Sequence, residues 1–334
     1  MAEMTYAKAG VDIRKEDQAI KGMKSWIQKT FANREGRVGK VMVNIGGYAN
    51  LIDLGSFALA FTNDGVGSKV LVAQELKKYD TIGIDLIAMN VNDLICVGAE
   101  PIALVDYLAM QDTNDDLSKE ISVGLYEGAK QSRIAIVGGE TASLPDVITG
   151  LDNDGFDLAG ASIGIVAKDK IITGKNIQVG DKVIGFPSSG IHSNGLTLAR
   201  KVLPKNMWMK ILTPTRIYVA EVLEIIDKYK VSGLAHITGS GFKKMTRLTE
   251  LGFLLDNLPE PMMIFKKIQE LGEVSDEEMH RTFNMGIGFT IIANPQTTEK
   301  IMAEYGEKHK LRVIGSVVHG QGVVIRRGEN EFII

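Results

Sequence analysis

Cysteine and proline are scarce in this chain of 334 residues, which has 1 and 8 of them respectively. The one cysteine, Cys96, excludes an internal disulfide framework and any Cys-x-x-Cys site. No apolar run reaches the roughly 20 residues of a membrane-spanning helix, and the first 18 residues contain no apolar signal core. The net charge of −3 gives no general attraction to nucleic acid or to an anionic membrane. These absences predict a cytoplasmic protein with no nucleic-acid or membrane partner.

Several common catalytic motifs are also missing. The glycine pairs at 239–241 and 286–288 lack the third glycine and the acidic ribose ligand of a dinucleotide site. No His-Glu-x-x-His motif or nucleophile elbow points to hydrolysis. The segment TNDGVGSK (62–69) resembles a phosphate loop but lacks the Gly-x-x-x-x-Gly-Lys-Ser/Thr spacing of a P-loop.

The length of the chain predicts about two domains. Apolar and polar periodicity alternates between strand and helix patterns in both halves, which favours a mixed α/β (α+β) fold. A polar connection at 168–182 separates the halves. We therefore place an N-terminal domain at 1–170 and a C-terminal domain at 171–334.

Three elements of the first half have clear local patterns. The segment FALAFTND (57–64) reads as a buried strand, and 79–98 reads as a mostly buried helix closed by Gly98. A helix at 116–132 has an inward stripe at a spacing of four residues. The stripe consists of Leu117, Ile121, Leu125 and Ala129.

Five helices are expected in the second half, near 194–203, 213–230, 241–251, 261–271 and 296–309. The helix over 213–230 has Thr213 as its N-cap and Pro214 at its first position. Strands are expected at 182–187, 286–293, 312–318 and 322–327.

The loop after the strand at 57–64 carries the chemistry of an anion site. Asp64 can ligate Mg²⁺, Gly65 and Gly67 expose backbone N–H groups, and Lys69 adds a positive charge. The alternative is a simple strand-ending turn, because Asp-Gly is a common turn pair.

The helix at 79–98 contains carboxylates among apolar neighbours. A buried, unpaired carboxylate costs several kcal/mol, so Asp93 needs a partner or a metal. Asp85 and Asn92 are seven residues apart and give this helix one polar edge. The alternative is a buried salt bridge to a lysine or an arginine.

A third carboxylate follows another strand, in VGGETASLP (137–145), where two glycines precede Glu140. Asp64, Asp93 and Glu140 together would suit a hard divalent ion that carries nucleotide phosphates. Mg²⁺ usually takes only one or two carboxylates directly, so all three need not touch it.

Three further loops are candidate binding segments. Gly46 and Gly47 form one possible phosphate cradle, and His192 and Asn194 lie in SSGIHSNG (188–195) ahead of a helix. His236 lies in AHITGSG (235–241). Ordinary N-capping and structural hydrogen bonding are the alternatives for these polar residues.

Taken together, the motifs resemble the phosphoribosylformylglycinamidine cyclo-ligase family, also called aminoimidazole ribonucleotide synthetase. The matching segments occur in family order over nearly the whole chain: YAKAGVDI (6–13), NDGVGSK (63–69), DTIGIDLIAMNVNDL (80–94), GAEP (98–101), VGGETA (137–142), SSGIHSNG (188–195), HITGSGF (236–242) and RTFNMGIG (281–288). The departures are small: Ser68 replaces a threonine, Asn63 replaces a threonine within the first loop, and HITGSG replaces HITGGG.

The resemblance implies a two-domain fold whose N-terminal sheets pair in a homodimer. It implies that ATP and Mg²⁺ are required to close the imidazole ring of formylglycinamidine ribonucleotide. It places Asp64, Asp93 and Glu140 around Mg²⁺. The expected phosphate contacts are Gly46, Gly47, Gly65, Gly67, Ser68 and Lys69.

The same resemblance implies catalytic roles for Lys69, Asp93 and His192. His192 and Asn194 are expected to bind substrate or relay a proton, with His236 as a further candidate. A small-molecule kinase of the same superfamily, similar to thiamine-monophosphate kinase, is the alternative activity. A catalytically inert nucleotide-binding scaffold is the alternative of a different class.

Overall fold

The computed structural model describes residue 5, residues 7–10 and residues 13–334, with side chains from residue 18 onward in the first helix. Residues 6, 11 and 12 of the motif at 6–13, and the first four residues of the chain, lie outside the described residues. Within the described ranges, no helix is long and apolar enough to cross a membrane.

One mixed sheet organises the first half of the chain. Its strands are β1 Lys40–Val41, β2 Asn50–Asp53, β3 Phe57–Gly65, β4 Glu100–Met110, β5 Ala135–Ser143 and β6 Phe156–Ala167. Their order is β1-β2-β3-β6-β4-β5. Strands β4 and β5 run parallel, and the other neighbouring pairs are antiparallel.

Helices α2 Val70–Leu76 and α3 Ile82–Ile95 lie against one face of this first sheet, and α4 Asp115–Ser132 packs on α3. Helix α1 Ile13–Ile27 precedes the sheet in the chain. The predicted inward stripe of α4 is confirmed, because all four of its members are buried. Gly98 does not end α3 itself; it follows the helix with a φ of +77° and donates to the Ile95 carbonyl at 2.9 Å.

Glycines allow α3 and α4 to cross at short range. A Cβ on Gly83 would lie 2.1 Å from the backbone nitrogen of Leu125. A Cβ on Gly124 would lie 2.7 Å from the Asp80 carbonyl oxygen. Because neither glycine has a side chain, the two backbones can pack directly against each other. This contact sets the position of α3, which carries several of the candidate site residues.

The two faces of the first sheet differ in their environment. On β6, alternate residues such as Leu158 and Ser162 are fully buried, and a Cβ on Gly160 would contact Leu86 of α3. The intervening residues point to the other face, where no described element covers them, and Ile165 is exposed there. Alternation along a strand therefore gives the sheet an inner face toward α3 and an outer face.

A second sheet organises the other half of the chain. Its strands are β7 Lys182–Pro187, β8 Gly233–His236, β9 Gly252–Leu255, β10 Ile287–Ala293, β11 Arg312–Val318, β12 Val323–Arg327 and β13 Asn330–Ile333. Their order is β13-β12-β9-β11-β7-β10-β8. Every residue of β10, which lies between β7 and β8, is buried. This sheet therefore carries the core of the second half.

The helices of the second half surround this sheet. They are α5 Leu196–Val202, α6 Trp208–Ile211, α7 Val219–Lys228, α8 Met263–Gly272, α9 Asp276–Thr282 and α10 Pro295–His309. Short 3₁₀ helices lie at Gln28–Arg34, Gly67–Lys69, Leu151–Asn153, Lys168–Lys170, Lys205–Met207 and Gly241–Arg247. The predicted mixed α/β class is confirmed.

Two helix predictions are corrected. The helix expected over 213–230 begins only at Val219, so Thr213 does not cap it, and residues 213–218 are not helical. The backbone N–H of Tyr218 donates instead to the Asn92 side chain at 2.9 Å. The helix expected near 241–251 is the 3₁₀ helix Gly241–Arg247. In the first case, contacts with α3 replace the hydrogen bonds that a helix would supply.

Candidate active site

The carboxylate of Asp93 lies at the junction of the two halves. It projects from α3, and its Oδ1 is 2.8 Å from Nδ1 of His236, which ends β8. The side-chain amide of Asn92 lies 3.4 Å from Nε2 of the same ring. An amide N–H can only donate, so Nε2 accepts and the ring proton resides on Nδ1, facing Asp93. His236 is therefore held as a donor to the carboxylate.

Asp64 faces the same junction from the inner face of β3. Its Oδ1 accepts the backbone N–H of Gly65 at 2.8 Å. Burial raises the pKa of Asp64, and the negative charge of Asp93 raises it further, while Lys244 and His236 oppose the shift. Two carboxylates that repel each other in a partly closed site form a favourable position for a cation.

Lys244 supplies a positive charge to this pair. It lies on the 3₁₀ helix Gly241–Arg247 of the second half. Burial lowers the pKa of its ammonium group, and the charges of Asp93 and Asp64 oppose that shift. Sequence reasoning did not select Lys244. The available signal was a lysine three residues after the Gly-Ser-Gly turn.

The loop with Gly46 and Gly47 lies against the same 3₁₀ helix. The Tyr48 hydroxyl donates to the Lys244 carbonyl at 2.9 Å, and the Arg247 guanidinium donates to the Gly47 carbonyl at 3.5 Å. Gly46 has a φ of +131°, and Lys24 Nζ would lie 3.6 Å from a Cβ placed on it. Lys24 and Arg247 thus lie beside the predicted phosphate cradle. Lys244 lies on the 3₁₀ helix that the cradle contacts.

His192 and Asn194 each carry a buried nitrogen atom that no described residue pairs. The backbone N–H of Ser189 donates to His192 Nε2 at 3.2 Å, so the neutral ring has its proton on Nδ1. Burial lowers the pKa of His192 well below its usual range, and the neighbouring His236, Lys69 and Arg216 side chains lower it further. Among the described residues, neither His192 Nδ1 nor Asn194 Nδ2 has a hydrogen-bond partner. Both are donors that an acceptor-rich ligand could satisfy.

Lys69 does not face this site. Its Nζ is 2.8 Å from Asp85 Oδ1 and 2.7 Å from the Thr213 carbonyl oxygen. Both members of the ion pair are 0% exposed. The expected phosphate contact of Lys69 is not supported by this arrangement, because the ammonium group is enclosed and already paired. The salt bridge that the sequence left as an alternative is therefore present, at Asp85 rather than at Asp93.

Glu140 is separated from the other two carboxylates. Gly65 pairs with Ala159, Ala159 with Tyr107, and Tyr107 with Glu140, so Glu140 lies three strands from the end of β3. At a spacing of about 4.8 Å per strand, that is roughly 14 Å. Paired residues point to the same face, so Glu140 belongs to the outer row while Asp64 belongs to the inner one.

The three predicted carboxylates are therefore not brought together within a single chain. Among the residues described, no group of three His, Cys, Asp or Glu side chains could hold a metal ion. Asp64 and Asp93 remain together, and Glu140 lies on the opposite face of the sheet.

The other residues of the loop at 62–69 form structural contacts with neighbouring elements. Gly67 begins a 3₁₀ helix with a φ of +66°, and Gly65 ends β3. The Ser68 hydroxyl lies 3.1 Å from that of Thr197 in α5. The Asn63 amide donates to the Gly160 carbonyl at 3.0 Å, so this departure from the family pattern keeps β3 in register with β6.

Asn90 was also missed by sequence reasoning. It is fully buried on α3, and its side-chain amide donates to the Asp64 carbonyl at 3.3 Å. Its Oδ1 lies 3.2 Å from the Thr62 hydroxyl. These bonds attach the end of β3 to α3 and so set the relative position of Asp64 and Asp93. Its sequence signal was an asparagine within an apolar helix, where an amide needs a partner.

Family models match both halves of the chain. Residues 46–166 match the model of the AIR synthase related protein N-terminal domain, and residues 178–328 match that of the C-terminal domain. A phosphoribosylformylglycinamidine cyclo-ligase of Pyrococcus furiosus is 49% identical over 99% of this chain and 100% of its own length. The enzyme of that name from Thermococcus kodakarensis is 51% identical over 96% of this chain and 97% of its own length.

Among solved structures, AaThiL complexed with AMPPCP and TMP is similar in fold. Its TM-score is 0.66 at 16% identity, and the match covers 92% of this chain and 94% of that one. At this identity the likeness concerns the fold alone. The two domain matches and the near full-length relatives confirm the resemblance seen in the motifs, and the chain belongs to the AIR synthase related family, among its phosphoribosylformylglycinamidine cyclo-ligases.

Proposed function

We propose that this chain closes the imidazole ring of formylglycinamidine ribonucleotide, using ATP and releasing ADP and phosphate. The observation that carries the proposal is the meeting of Asp64, Asp93, His236 and Lys244 between the two halves. The names of relatives about half identical over nearly the whole chain support the same activity.

The residues of the junction fit a magnesium ion. Asp64 and Asp93 offer hard oxygen ligands. Burial and the charge of Asp93 raise the pKa of Asp64, and a divalent cation would offset both effects. Mg²⁺, when bound, would neutralise charge on the nucleotide phosphates. We assign the ion to Asp64 and Asp93, with His236 orienting the Asp93 carboxylate.

The chemical problem is that an amide oxygen is a poor leaving group. Transfer of the γ-phosphoryl group to the formyl oxygen makes it a good one. The amidine nitrogen then attacks the formyl carbon, phosphate departs, and loss of a proton leaves the aminoimidazole. The protein positions the reactants and stabilises the charge on the transferring group. Lys244 supplies that positive charge in this proposal, in place of the enclosed Lys69.

His192 and Asn194 bind the substrate as donors. Because Nε2 of His192 accepts from Ser189 and the ring is buried and neutral, the free position is an N–H group. A buried unpaired donor is costly, so a ligand oxygen at Nδ1 or at the Asn194 amide would be stabilised. This favours binding over general-base catalysis for His192.

A product assay tests the function. Purified protein is incubated with ATP, Mg²⁺ and formylglycinamidine ribonucleotide, and ADP and aminoimidazole ribonucleotide are quantified. We expect ADP formation to depend on the ribonucleotide and to equal the amount of ring-closed product. ADP release that requires thiamine monophosphate instead would establish the kinase alternative. No turnover with either substrate would favour a nucleotide-binding scaffold.

The homodimer belongs to the same proposal. Large apolar residues on the outer face of the first sheet are exposed, among them Phe57, Val105, Tyr107 and Ile165. A continuous apolar face of this kind is a common site of association, and a second copy of the chain presents the same face. Glu140 lies on that face and would then approach the partner chain. Sedimentation analysis of Val105→Glu, with the exposed Val179→Glu as control, should give a monomer only for the first variant.

A cytoplasmic location is also proposed. Its support is the single thiol, Cys96, which is buried and free. A reducing compartment suits a protein that uses no disulfide for its stability.

A further inference from the structure

A single carboxylate oxygen joins the two halves of the molecule. Asp85 Oδ1 accepts Lys69 Nζ at 2.8 Å, the Thr215 backbone N–H at 2.8 Å and the Thr215 hydroxyl at 2.6 Å. The Ser193 hydroxyl lies 3.0 Å from the same oxygen. Lys69 and Asp85 belong to the first half, whereas Ser193 and Thr215 belong to the second. The polar edge of α3 is thus a docking line for the other half.

The docked segment is the non-helical stretch 213–218. Lys69 donates to the Thr213 carbonyl at 2.7 Å. On α3, two helical turns after Asp85, the side chain of Asn92 donates to the Arg216 carbonyl and accepts from the Tyr218 N–H, both at 2.9 Å. Side chains of α3 and of the 3₁₀ helix Gly67–Lys69 therefore form hydrogen bonds with backbone groups of the segment 213–218, which belongs to no helix or strand.

The same contacts reach the loop at 188–195. Ser193 lies between His192 and Asn194, which both carry a buried donor without a partner among the described residues. The Ser189 hydroxyl donates to the Pro214 carbonyl at 2.6 Å, so the loop and the segment 213–218 are also joined directly. Any shift of that segment would move the donors of the loop.

We propose that Lys69 and Asp85 are positioning residues, whose buried ion pair holds the donors of His192 and Asn194 at a fixed place relative to Asp64 and Asp93. The pair suits this role because both charges are fully enclosed, where an ion pair is strong and its loss is costly. Lys69 follows Asp64 by five residues, and Asp85 precedes Asp93 on the same helix. The anchor and the carboxylates therefore share one rigid frame.

The inference rests on the proposed function for its kinetic test, which uses two variants that leave the ion pair intact. Ser193→Ala and Thr215→Val each remove a hydroxyl that contacts Asp85, together with the 3.0 Å contact between the two hydroxyls, with little change in shape. We expect each to raise the KM for formylglycinamidine ribonucleotide about tenfold, equivalent to the loss of one well-placed hydrogen bond. The KM for ATP should stay within about twofold, and Thr215→Ser should recover most of the loss.

Ser162→Ala is the matched control. Its hydroxyl is fully buried and donates to the Ala103 carbonyl at 2.9 Å, within the first sheet. It loses one buried hydroxyl bond without touching the anchor. Equal effects on both KM values in the anchor variants, or the same rise in Ser162→Ala, would overturn the positioning role.

Hydrogen–deuterium exchange tests the anchor without any turnover. We expect faster amide exchange in 188–195 and 213–218 for Ser193→Ala and Thr215→Val than for the wild type and for Ser162→Ala. Unchanged exchange in both segments would overturn the proposal even if KM rises. If the wild-type protein does not close the ring but the exchange result holds, the proposed function fails and the anchor stands.

Discussion

The substitution Asp85→Asn should be among the most destabilising single changes in this chain. It keeps the size of the side chain and removes only the negative charge. Lys69 would then retain a positive charge at 0% exposure, with the Thr213 carbonyl and a neutral amide as its remaining partners. Breaking a buried ion pair on one side leaves an uncompensated charge, and this costs about 3–5 kcal/mol.

The pH dependence of this loss has a defined sign. Burial lowers the pKa of Lys69, and Asp85 opposes that shift, so the variant should lower the pKa further. The folded variant therefore binds fewer protons than the unfolded chain in the interval between the lowered pKa and the usual lysine range. Its stability rises with pH in that interval. The deficit relative to the wild type should be full at lower pH and should shrink toward alkaline pH.

Equilibrium urea unfolding from about pH 6.5 to about pH 9.5 measures both effects. Lys69→Met, Asp85→Leu and the double variant Lys69→Met/Asp85→Leu form, with the wild type, a cycle that separates the pair interaction from single-site losses. The double variant should be more stable than Asp85→Asn alone, because no isolated charge remains buried. A deficit below about 1 kcal/mol for Asp85→Asn, or one that is independent of pH, would refute the reasoning.

Three further predictions concern the site and the backbone. Asp93→Asn should lower turnover by about 10²-fold or more while the urea midpoint changes little; near-normal ADP release with Mg²⁺ would contradict its assignment. Ser240 has a φ of +72°, so Ser240→Gly should raise the free energy of unfolding by about 1 kcal/mol, whereas a gain in Ser240→Ala would show another cause. A Cβ on Gly288 would lie 2.1 Å from the Tyr218 hydroxyl, so Gly288→Ala should cost about 1–3 kcal/mol; Gly22→Ala, in open space, is the control for thermal unfolding.

Local sequence patterns predicted the features that depend on neighbouring residues alone. The stripe of α4 follows from helical periodicity, and its four members are buried as predicted. The importance of Asp93 follows from a charge among apolar neighbours, and its partner is His236. In both cases the sequence carries the constraint itself, because periodicity and the cost of burying a charge apply before any tertiary contact is known.

Local sequence patterns failed for residues whose hydrogen-bond or ion-pair partner lies far away in the sequence. A lysine at the C-terminal end of a glycine loop fits a phosphate contact, yet Lys69 points to Asp85. Thr213 and Pro214 are typical of a helix start, yet α3 takes up the hydrogen bonds of that segment. In both places a contact between separate elements outweighs the local preference.

The sequence by itself determined the class of fold and the family, and it predicted Asp64, Asp93 and Glu140 as one set of carboxylates. Only the tertiary structure decided that Glu140 faces away from the other two, because strand register and alternation set the face of each side chain. It also decided that Lys244, rather than Lys69, supplies the charge beside them. The reason is that the field at a site is the sum over all charges that folding brings near it, and sequence spacing does not encode those distances.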